Sequence, residues 1–353
     1  MEFTVANLVK WFQLKHSKIV KAMIESNHHY DAEFLLNPYH LEGDVWTHTM
    51  MVVLEASKLK KKLDGNMYNH VLVSALLHDI GKPLARKVSK EKKRVHFWGH
   101  EPISAFLCIS ILKDIEKEFN IKLNHRLIIE AIAMHTDVYN VPREKLADRL
   151  IKNQPLADLL SYLSSADYAG RFFEMGERDM EHIEVKPSSG LYAPKETKEV
   201  VCMIGLPCSG KSTVLKDMKE QHEGYVVLSR DDIVMELGRR TSFNLSYNEA
   251  FKLVDQKEVD KMFQGRRSTY IKLGLNVIID MTNMGRKARR RNMQGFKDYY
   301  KTAHVCMTDL ATIRHRNEHR AGKVLPQRVF ENMTNSFQPP LYDEFDHIDW
   351  TIT

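Results

Sequence analysis

The stretch that most constrains this chain is G-L-P-C-S-G-K-S-T, Gly205 to Thr213. An apolar run, Val200 to Ile204, precedes it, and a helix-like segment, Val214 to Glu220, follows. The order is strand, glycine-bounded loop, helix, and the spacing fits G-x-x-x-x-G-K-[ST], the pattern of a phosphate cradle. Gly205 and Gly210 permit backbone angles that turn successive N–H groups inward. The helix starting near Lys211 points its partial positive end at the anion. Lys211 would neutralise the terminal phosphates of a bound NTP, and the Ser212 hydroxyl would hold Mg²⁺. Pro207, Cys208, Ser209 and Thr213 complete the nucleotide-binding set. An ordinary glycine-rich turn has the same flanks but no need of Lys-Ser-Thr.

Nearly 200 residues precede this loop in a chain of 353. At roughly 150 residues per domain, two domains are expected, each able to bury its own core. With 43% hydrophobic and 28% charged residues, the composition is that of a soluble globular protein. No run of about 18 apolar residues occurs, which argues against a membrane partner. The first residues, M-E-F-T-V-A-N-L-V-K-W, do not have the basic and then apolar pattern of a secretory leader. Cys108, Cys202, Cys208 and Cys306 are scattered, without paired metal spacing, so free thiols in a reducing, cytoplasmic setting are expected. The formal charge of +6 fits a polyanionic substrate without requiring one.

Residues 1 to about 180 read as helix, with apolar positions recurring at spacings of three and four, as in Ile103, Phe106, Leu107 and Ile111. An all-α bundle is the expected architecture. Ionisable residues interrupt the apolar faces at His48, His78–Asp79, His100, His135 and Asp167. A single histidine in an apolar helix is usually a satisfied core residue. Several helices each placing His or Asp among core residues suggest a common centre, because buried ionisable groups are costly unless paired or metal-bound. Lys82 follows His78 and Asp79 by one helical turn, and Arg171 stands in the same relation to Asp167; either could reach a phosphate oxygen or be a solvated surface cation.

The order H…HD…H…H…D, with H-D-I-G-K at its centre, resembles the HD phosphohydrolase superfamily over about residues 40 to 175. That resemblance implies one metal on His48, His78, Asp79 and Asp167, and a second on His100 and His135, with Asp79 between them. His96 competes with His100 for its place and ranks below it. The implied cofactors are two divalent transition ions such as Mn²⁺, Co²⁺, Ni²⁺ or Fe²⁺. Asp79 and Lys82 are the catalytic residues of this half, and the implied activity is a metal-dependent phosphoesterase.

From Arg178 to Thr197 the periodicity stops, and V-K-P-S-S-G-L-Y-A-P-K-E-T-K has the composition of a linker. The expected domains are 1–184, a linker at 185–197, and 198–353. After the phosphate loop, strands are expected at Tyr225 to Asp232, Asn276 to Asp280 and His304 to Met307, separated by helices that include Tyr247 to Leu273. This alternation implies a parallel sheet flanked by helices. Asp231, Asp232 and Asp280 close their strands, where such sheets place ligand sites, although Asp also caps helices. Arg314, Arg316 and Arg320 could form a lid or an exposed basic helix. Arg286, Lys287, Arg289, Arg290 and Arg291 could track a nucleic-acid backbone or be a solvated face.

The motifs G-L-P-C-S-G-K-S-T, S-R-D-D, I-I-D-M-T-N and R-N-E-H-R-A-G together resemble the polynucleotide 5′-kinase family over about residues 199 to 325. The resemblance implies Lys211, Asp231 and Arg320 as catalytic residues, with Asp231 taking the proton of an acceptor 5′-hydroxyl. Arg316 and Arg320 would lie on the donor phosphates, and Asp280 would support the acceptor site. Where the family has an acceptor-binding arginine three residues after the catalytic aspartate, this chain has Val234; Arg239 or Arg240, with Arg289, are the expected substitutes. The two modules in sequence resemble the bacterial HD-domain polynucleotide kinases. This implies end healing of RNA, or of DNA, with 5′-OH and 2′,3′-cyclic phosphate ends, an NTP or dNTP donor with Mg²⁺, and a separate RNA ligase acting downstream. Kinases of this type often associate, so a homo-oligomer is compatible with the resemblance. The competing readings are a small-molecule kinase fused to a nucleotide phosphohydrolase, and a non-enzymatic nucleotide sensor.

Overall fold

The computed structural model describes residues 1–30, 37, 40–172, 182–185, 198–221 and 224–353. The chain divides into two compact units, Met1–Ser188 and Ser189–Thr353. All of the linker expected at 185–197 except Val185 lies outside the described residues. No helix among the described residues is long and apolar enough to cross a membrane.

The first unit is helical, and its helices start and stop where the sequence provides caps. Asp44 accepts from the Thr47 N–H and starts helix Val45–Ser57. Asp64 accepts from the Asn66 and Met67 N–H groups and starts helix Gly65–Leu77. Each carboxylate satisfies donors that the first helical turn leaves orphaned. Helix Gly65–Leu77 buries nine of its side chains, from Tyr68 to Leu77, so the His78–Asp79 pair at its C-terminal end is delivered into the core. Gly81 makes the next step possible. A Cβ there would stand 2.5 Å from the His100 carbonyl oxygen and 2.6 Å from the Ser104 nitrogen. The Gly81 N–H instead donates to Ser104 Oγ at 2.9 Å, which draws the HD segment against helix His100–Phe119.

One feature departs from the expected all-α bundle. Strands β1, Lys87–Ser89, and β2, Arg94–His96, form an antiparallel hairpin. Its strands are only three residues each, with one apolar residue apiece, Val88 and Val95, too few to give a hydrophobic alternation.

The second unit is a parallel five-stranded sheet. Its strands are β3 (Glu199–Ile204), β4 (Tyr225–Ser229), β5 (Asn276–Asp280), β6 (Tyr300–Met307) and β7 (His347–Ile352), in the order β4-β5-β3-β6-β7. Alternate residues of one strand feed opposite cores. Val200 packs with Ile233, Leu237, Val259 and Phe263 on one face, while Val201 and Met203 pack with Cys306 on the other. A sheet buried on both faces reads as near-continuous apolar runs, which is why β3 to β6 were visible in sequence. Strand β7 has no counterpart among the expected strands. The single helix expected over Tyr247 to Leu273 is two, Tyr247–Leu253 and Gln256–Leu273. Val254 is extended, and Asp255 caps the second helix through the Lys257 N–H.

Glu130 lies on helix His125–Met134 and is 1% exposed. Burial raises its carboxyl to about 7, against the opposing effect of Arg126; the Arg126 Nε–H donates to it at 3.2 Å. A carboxyl with a folded pKa above its ordinary value stabilises the fold below that ordinary value, and the stabilisation is lost as pH rises through about 7. Glu130→Gln is therefore expected to gain on the wild type between pH 5 and pH 8 by on the order of 2–3 kcal/mol. Thermal unfolding at both pH values checks this; a difference independent of pH would remove the titration of Glu130 as its cause.

Candidate active sites

The first unit gathers all six of the histidines and aspartates singled out above, from five separate segments. His48 is in the first turns of helix Val45–Ser57, and His78 caps the end of Gly65–Leu77. His100 opens helix His100–Phe119, His135 caps the end of His125–Met134, and Asp167 is in the last turn of Gln154–Ala169. These five and Asp79, which follows His78, are all buried.

The two oxygens of Asp79 face different partners. His78 Nε2 lies 3.2 Å and His48 Nε2 3.6 Å from Oδ2, with Asp167 Oδ1 3.0 Å from His48 Nε2. On the other side, His100 Nε2 is 3.1 Å and His135 Nε2 3.7 Å from Oδ1. Three of the imidazoles are oriented by their other nitrogen. The Nδ1–H groups of His78, His100 and His135 donate to the carbonyls of Ala75, Phe97 and Ile132 at 2.9, 2.8 and 2.7 Å. His48 Nδ1 lies 2.9 Å from Glu42 Oε1. Every Nε2 is thereby left for the centre, the arrangement in which an outer carbonyl or carboxylate fixes a metal-ligating histidine.

Several of these atoms have charged neighbours but no well-oriented hydrogen bond. His78 Nε2 and both Asp79 oxygens are buried without a properly oriented hydrogen-bond partner, and His48–His78–Asp167 and His78–Asp79–His135 are each grouped closely enough to hold a cation. Imidazole nitrogen and carboxylate oxygen suit divalent transition ions, so the donor set fits the expected pair of metals. Burial opposes ionisation of Asp79, but His78 and Lys82 outweigh it and hold the carboxyl well below its usual range.

Lys82 is not a solvated surface cation: its Nζ is buried, 2.7 Å from Asp79 Oδ2 and 3.2 Å from His28 Nε2. Arg171 pairs with Asp167 and lies over the Tyr139 ring. Both line a cavity of about 850 Å³ with Asp79, His100, His135 and Asp167. His96 does not join this group; its ring lies against Trp98. Sequence reasoning missed Glu42, His28 and His40. The His28 and His40 rings stack 4.2 Å apart at the cavity, and Glu42 Oε1 accepts from His40 Nδ1–H at 2.8 Å while facing His48. They precede the H-D-I-G-K motif in sequence, and no local spacing marks them.

In the second unit the phosphate loop joins β3 to helix Lys211–Gln221. Gly205 has φ +153°, and a Cβ on it would meet the Cys306 carbonyl oxygen at 2.4 Å. Gly210 has φ +95° and open space around it, so its freedom serves the turn rather than a close approach. Lys211 Nζ donates to the carbonyls of Gly205 and Leu206 at 2.8 and 2.7 Å. A cavity of about 690 Å³ in this unit is lined by Pro207 to Val214, Asp231, Asp280, Arg316, Arg320 and Lys323 among others. Parallel pairing makes this convergence possible: Ser229 of β4 is in register with Asp280 of β5, so Asp231, just past β4, and Asp280 emerge at the same edge. Asp231 accepts from Tyr247 Oη–H at 2.6 Å and pairs with Lys323, whose ammonium lies 3.7 Å from the centre of the Tyr247 ring. Neither Tyr247 nor Lys323 was anticipated. Arg316 donates to the Cys208 carbonyl at 3.1 Å. Its helix ends at Glu318, so Arg320 reaches the cavity from the segment beyond it and not from a shared helical face.

Three residues expected at the acceptor, Arg289, Arg239 and Arg240, do not line this cavity. Arg289 is 1% exposed. Its guanidinium grips Glu344 with Nε at 3.1 Å and Nη2 at 2.7 Å, and donates to the carbonyls of Met284 and Gln338 at 3.1 and 2.8 Å. Arg286 pairs with Asp343. Two members of the supposed backbone-tracking cluster therefore tie helix Arg286–Asn292 to the chain's last segment. Arg239 and Arg240 lie at the far end of helix Arg230–Thr241, about 12 Å along its axis from Asp231. Both are exposed, and Arg240 pairs with Glu236 at 3.4 Å. Val234 itself is fully buried in the core.

A family model described as an HD domain matches residues 45–169, and one described as an AAA domain matches residues 200–340. The chain joins an HD domain to a P-loop AAA domain. This is the pairing expected from the resemblance to the HD-domain polynucleotide kinases. A protein of Autographa californica nuclear polyhedrosis virus, whose name describes a bifunctional polynucleotide kinase/RNA ligase, is 30% identical over 134 residues. That match covers 36% of this chain and 19% of the viral protein, so the chain spans about a fifth of that relative's length. A chain of the Pnkp1/Rnl/Hen1 RNA repair complex overlaps 41% of this chain and 45% of its own length at 22% identity, with a TM-score of 0.34. A kinase structure from Chloroflexus aurantiacus overlaps 45% of this chain and 89% of its own at 14% identity, with a TM-score of 0.36.

The role of Arg289 is open to direct measurement. Arg289→Ala removes the two-point grip on Glu344, leaving it only Arg286 Nε at 3.9 Å, and is expected to destabilise the AAA domain by about 3 kcal/mol. It should lower the thermal midpoint without changing the KM of the remaining folded enzyme for an acceptor. An unchanged midpoint with weakened acceptor binding would restore Arg289 to the acceptor site.

Proposed function

We propose that this chain heals polynucleotide ends, adding a phosphoryl group at a 5′-hydroxyl and removing phosphate from a 2′,3′-cyclic, 2′- or 3′-phosphate end. The carrying observation is that Lys211, Asp231, Arg316 and Arg320 meet at one cavity beside the phosphate loop, while the HD domain builds a separate centre around Asp79.

In the kinase reaction the backbone N–H groups after Gly205 and the helix N-terminus receive the donor phosphates. Lys211 exchanges its two carbonyl partners for phosphate oxygens. Ser212 would hold the nucleotide's Mg²⁺. Asp231, fixed by Tyr247 and Lys323, takes the proton of the acceptor hydroxyl as its oxygen bonds to the γ-phosphorus and the nucleoside diphosphate leaves. Arg316 and Arg320 neutralise the charge that develops on the transferred group. Asp280, whose carboxyl is raised by burial against the pull of Lys211, supports the acceptor side of the cavity.

In the HD domain the six ligands would hold two divalent ions, which supply an activated water and neutralise phosphoryl oxygens. The chain's own cations complete the site. Lys82 and Arg171 reach the cavity already balanced by Asp79 and Asp167, ready to share their donors with a substrate phosphate. The name of the viral relative, a polynucleotide kinase joined to an RNA ligase, supports RNA ends as the acceptor class and ligation as the next step; for this chain the ligase would be a separate enzyme. The expected setting is cytoplasmic.

One assay tests both activities. An RNA with a 5′-OH and a 2′,3′-cyclic phosphate is expected to gain label from a γ-labelled NTP and to lose its terminal phosphate. Lys211→Ala should abolish labelling and leave phosphate release; His78→Ala should do the reverse. Label passing only to a free nucleoside would overturn the end-healing reading.

A further inference from the structure

The β1–β2 hairpin carries Lys87, Lys90, Lys92, Lys93 and Arg94 against one acid, Glu91. All five cationic side chains are exposed, and none forms an ion pair among the described residues. Two short strands of this kind are marginally stable by themselves and hold no core, so folding does not account for the charge.

The chain leaves β2 through Phe97 and Trp98 into Gly99, whose φ of +82° turns it into helix His100–Phe119. Trp98 is 80% exposed. Its indole lies 4.3 Å from the His96 ring, centre to centre, and lines the HD cavity with Phe97, Lys82, His100 and Asp79. Beneath it, Phe97 meets the Lys82 ammonium at 5.5 Å and the His28 ring at 5.3 Å. A large aromatic left in water at the mouth of a phosphate-handling cavity adds nothing to stability. A free phosphate monoester needs neither this ring nor the hairpin. A polymer end needs both kinds of contact, because a base adjoins the terminal phosphate and a row of phosphates runs back from it.

We infer that Trp98 and the hairpin form the docking surface for the 3′-terminal single strand of an RNA whose end phosphate enters the HD cavity. Trp98 stacks on the terminal base, and the hairpin cations follow the backbone phosphates behind it. The identity of the reaction in the cavity rests on the phosphoesterase reading; the docking does not.

The probe is an RNA of about ten nucleotides with a 3′-phosphate and 5-iodouridine as its last base, used with the full chain. Irradiation is expected to join the terminal base to the peptide containing Trp98. Trp98→Ala should raise the KM for phosphate release from this RNA roughly 5- to 100-fold, a larger rise than for glycerol 2-phosphate, which has no base to stack. The triple variant K92E/K93E/R94E should lower the slope of log KM against log salt by about 2. All of these side chains are exposed, so the variants fold. Crosslinks confined to the AAA domain, or an RNA KM unchanged in both variants, would overturn the inference. So would a hairpin variant that loses an acidic protein partner while binding RNA as before. If Trp98 crosslinks but no phosphate is released, the docking surface stands and the phosphoesterase reading fails.

Discussion

A single carboxylate, that of Asp79, organises the HD domain. Its two oxygens face two different sets of imidazoles, and both sets are buried. Lys82 and the imidazoles lie close to this carboxylate, yet His78 Nε2 and both Asp79 oxygens lack oriented hydrogen-bond partners. Leaving them bare would cost several kcal/mol each. The surrounding fold therefore holds a charged, under-satisfied centre in place against its own stability. It does so with helix ends, carbonyl contacts to three imidazoles, and a glycine that removes a steric barrier between the HD segment and helix His100–Phe119.

The AAA domain solves a different problem. A parallel sheet brings the carboxyl ends of β3, β4 and β5 to one edge, which gathers a phosphate loop and two aspartates at one cavity. Its cations are held in reserve on neutral or acidic partners: Lys211 on two carbonyls, Arg316 on a third, and Lys323 on Asp231. A phosphate donor offers each of them a stronger partner. Both domains thus approach phosphorus chemistry through pre-placed charge, one in a buried centre and one at an open edge.

Much of this was legible in the sequence because local spacing fixes it. The phosphate loop and the HD pair are contiguous, and apolar periods of three to four marked the helices that carry the remaining ligands. What escaped depends on partners distant in the chain. Arg289 reads as one more cation in a basic run, and only its partner Glu344, 55 residues later, makes it a buried tie. Glu42, His28, Tyr247 and Lys323 sit in segments with no pattern of their own until the fold brings them to a site. The hairpin was invisible for a related reason: three-residue strands with one valine each give no alternation to detect.

The central claim is that Asp79 divides the HD ligands into two cation sites. Titrating the nucleotide-free chain with Mn²⁺, and following free Mn²⁺ by its electron paramagnetic resonance signal, tests it most directly. The account predicts two ions bound per chain, one lost in His135→Ala and both weakened in Asp79→Ala. A wild-type chain that binds none, or an Asp79→Ala chain that keeps both with undiminished affinity, would contradict it.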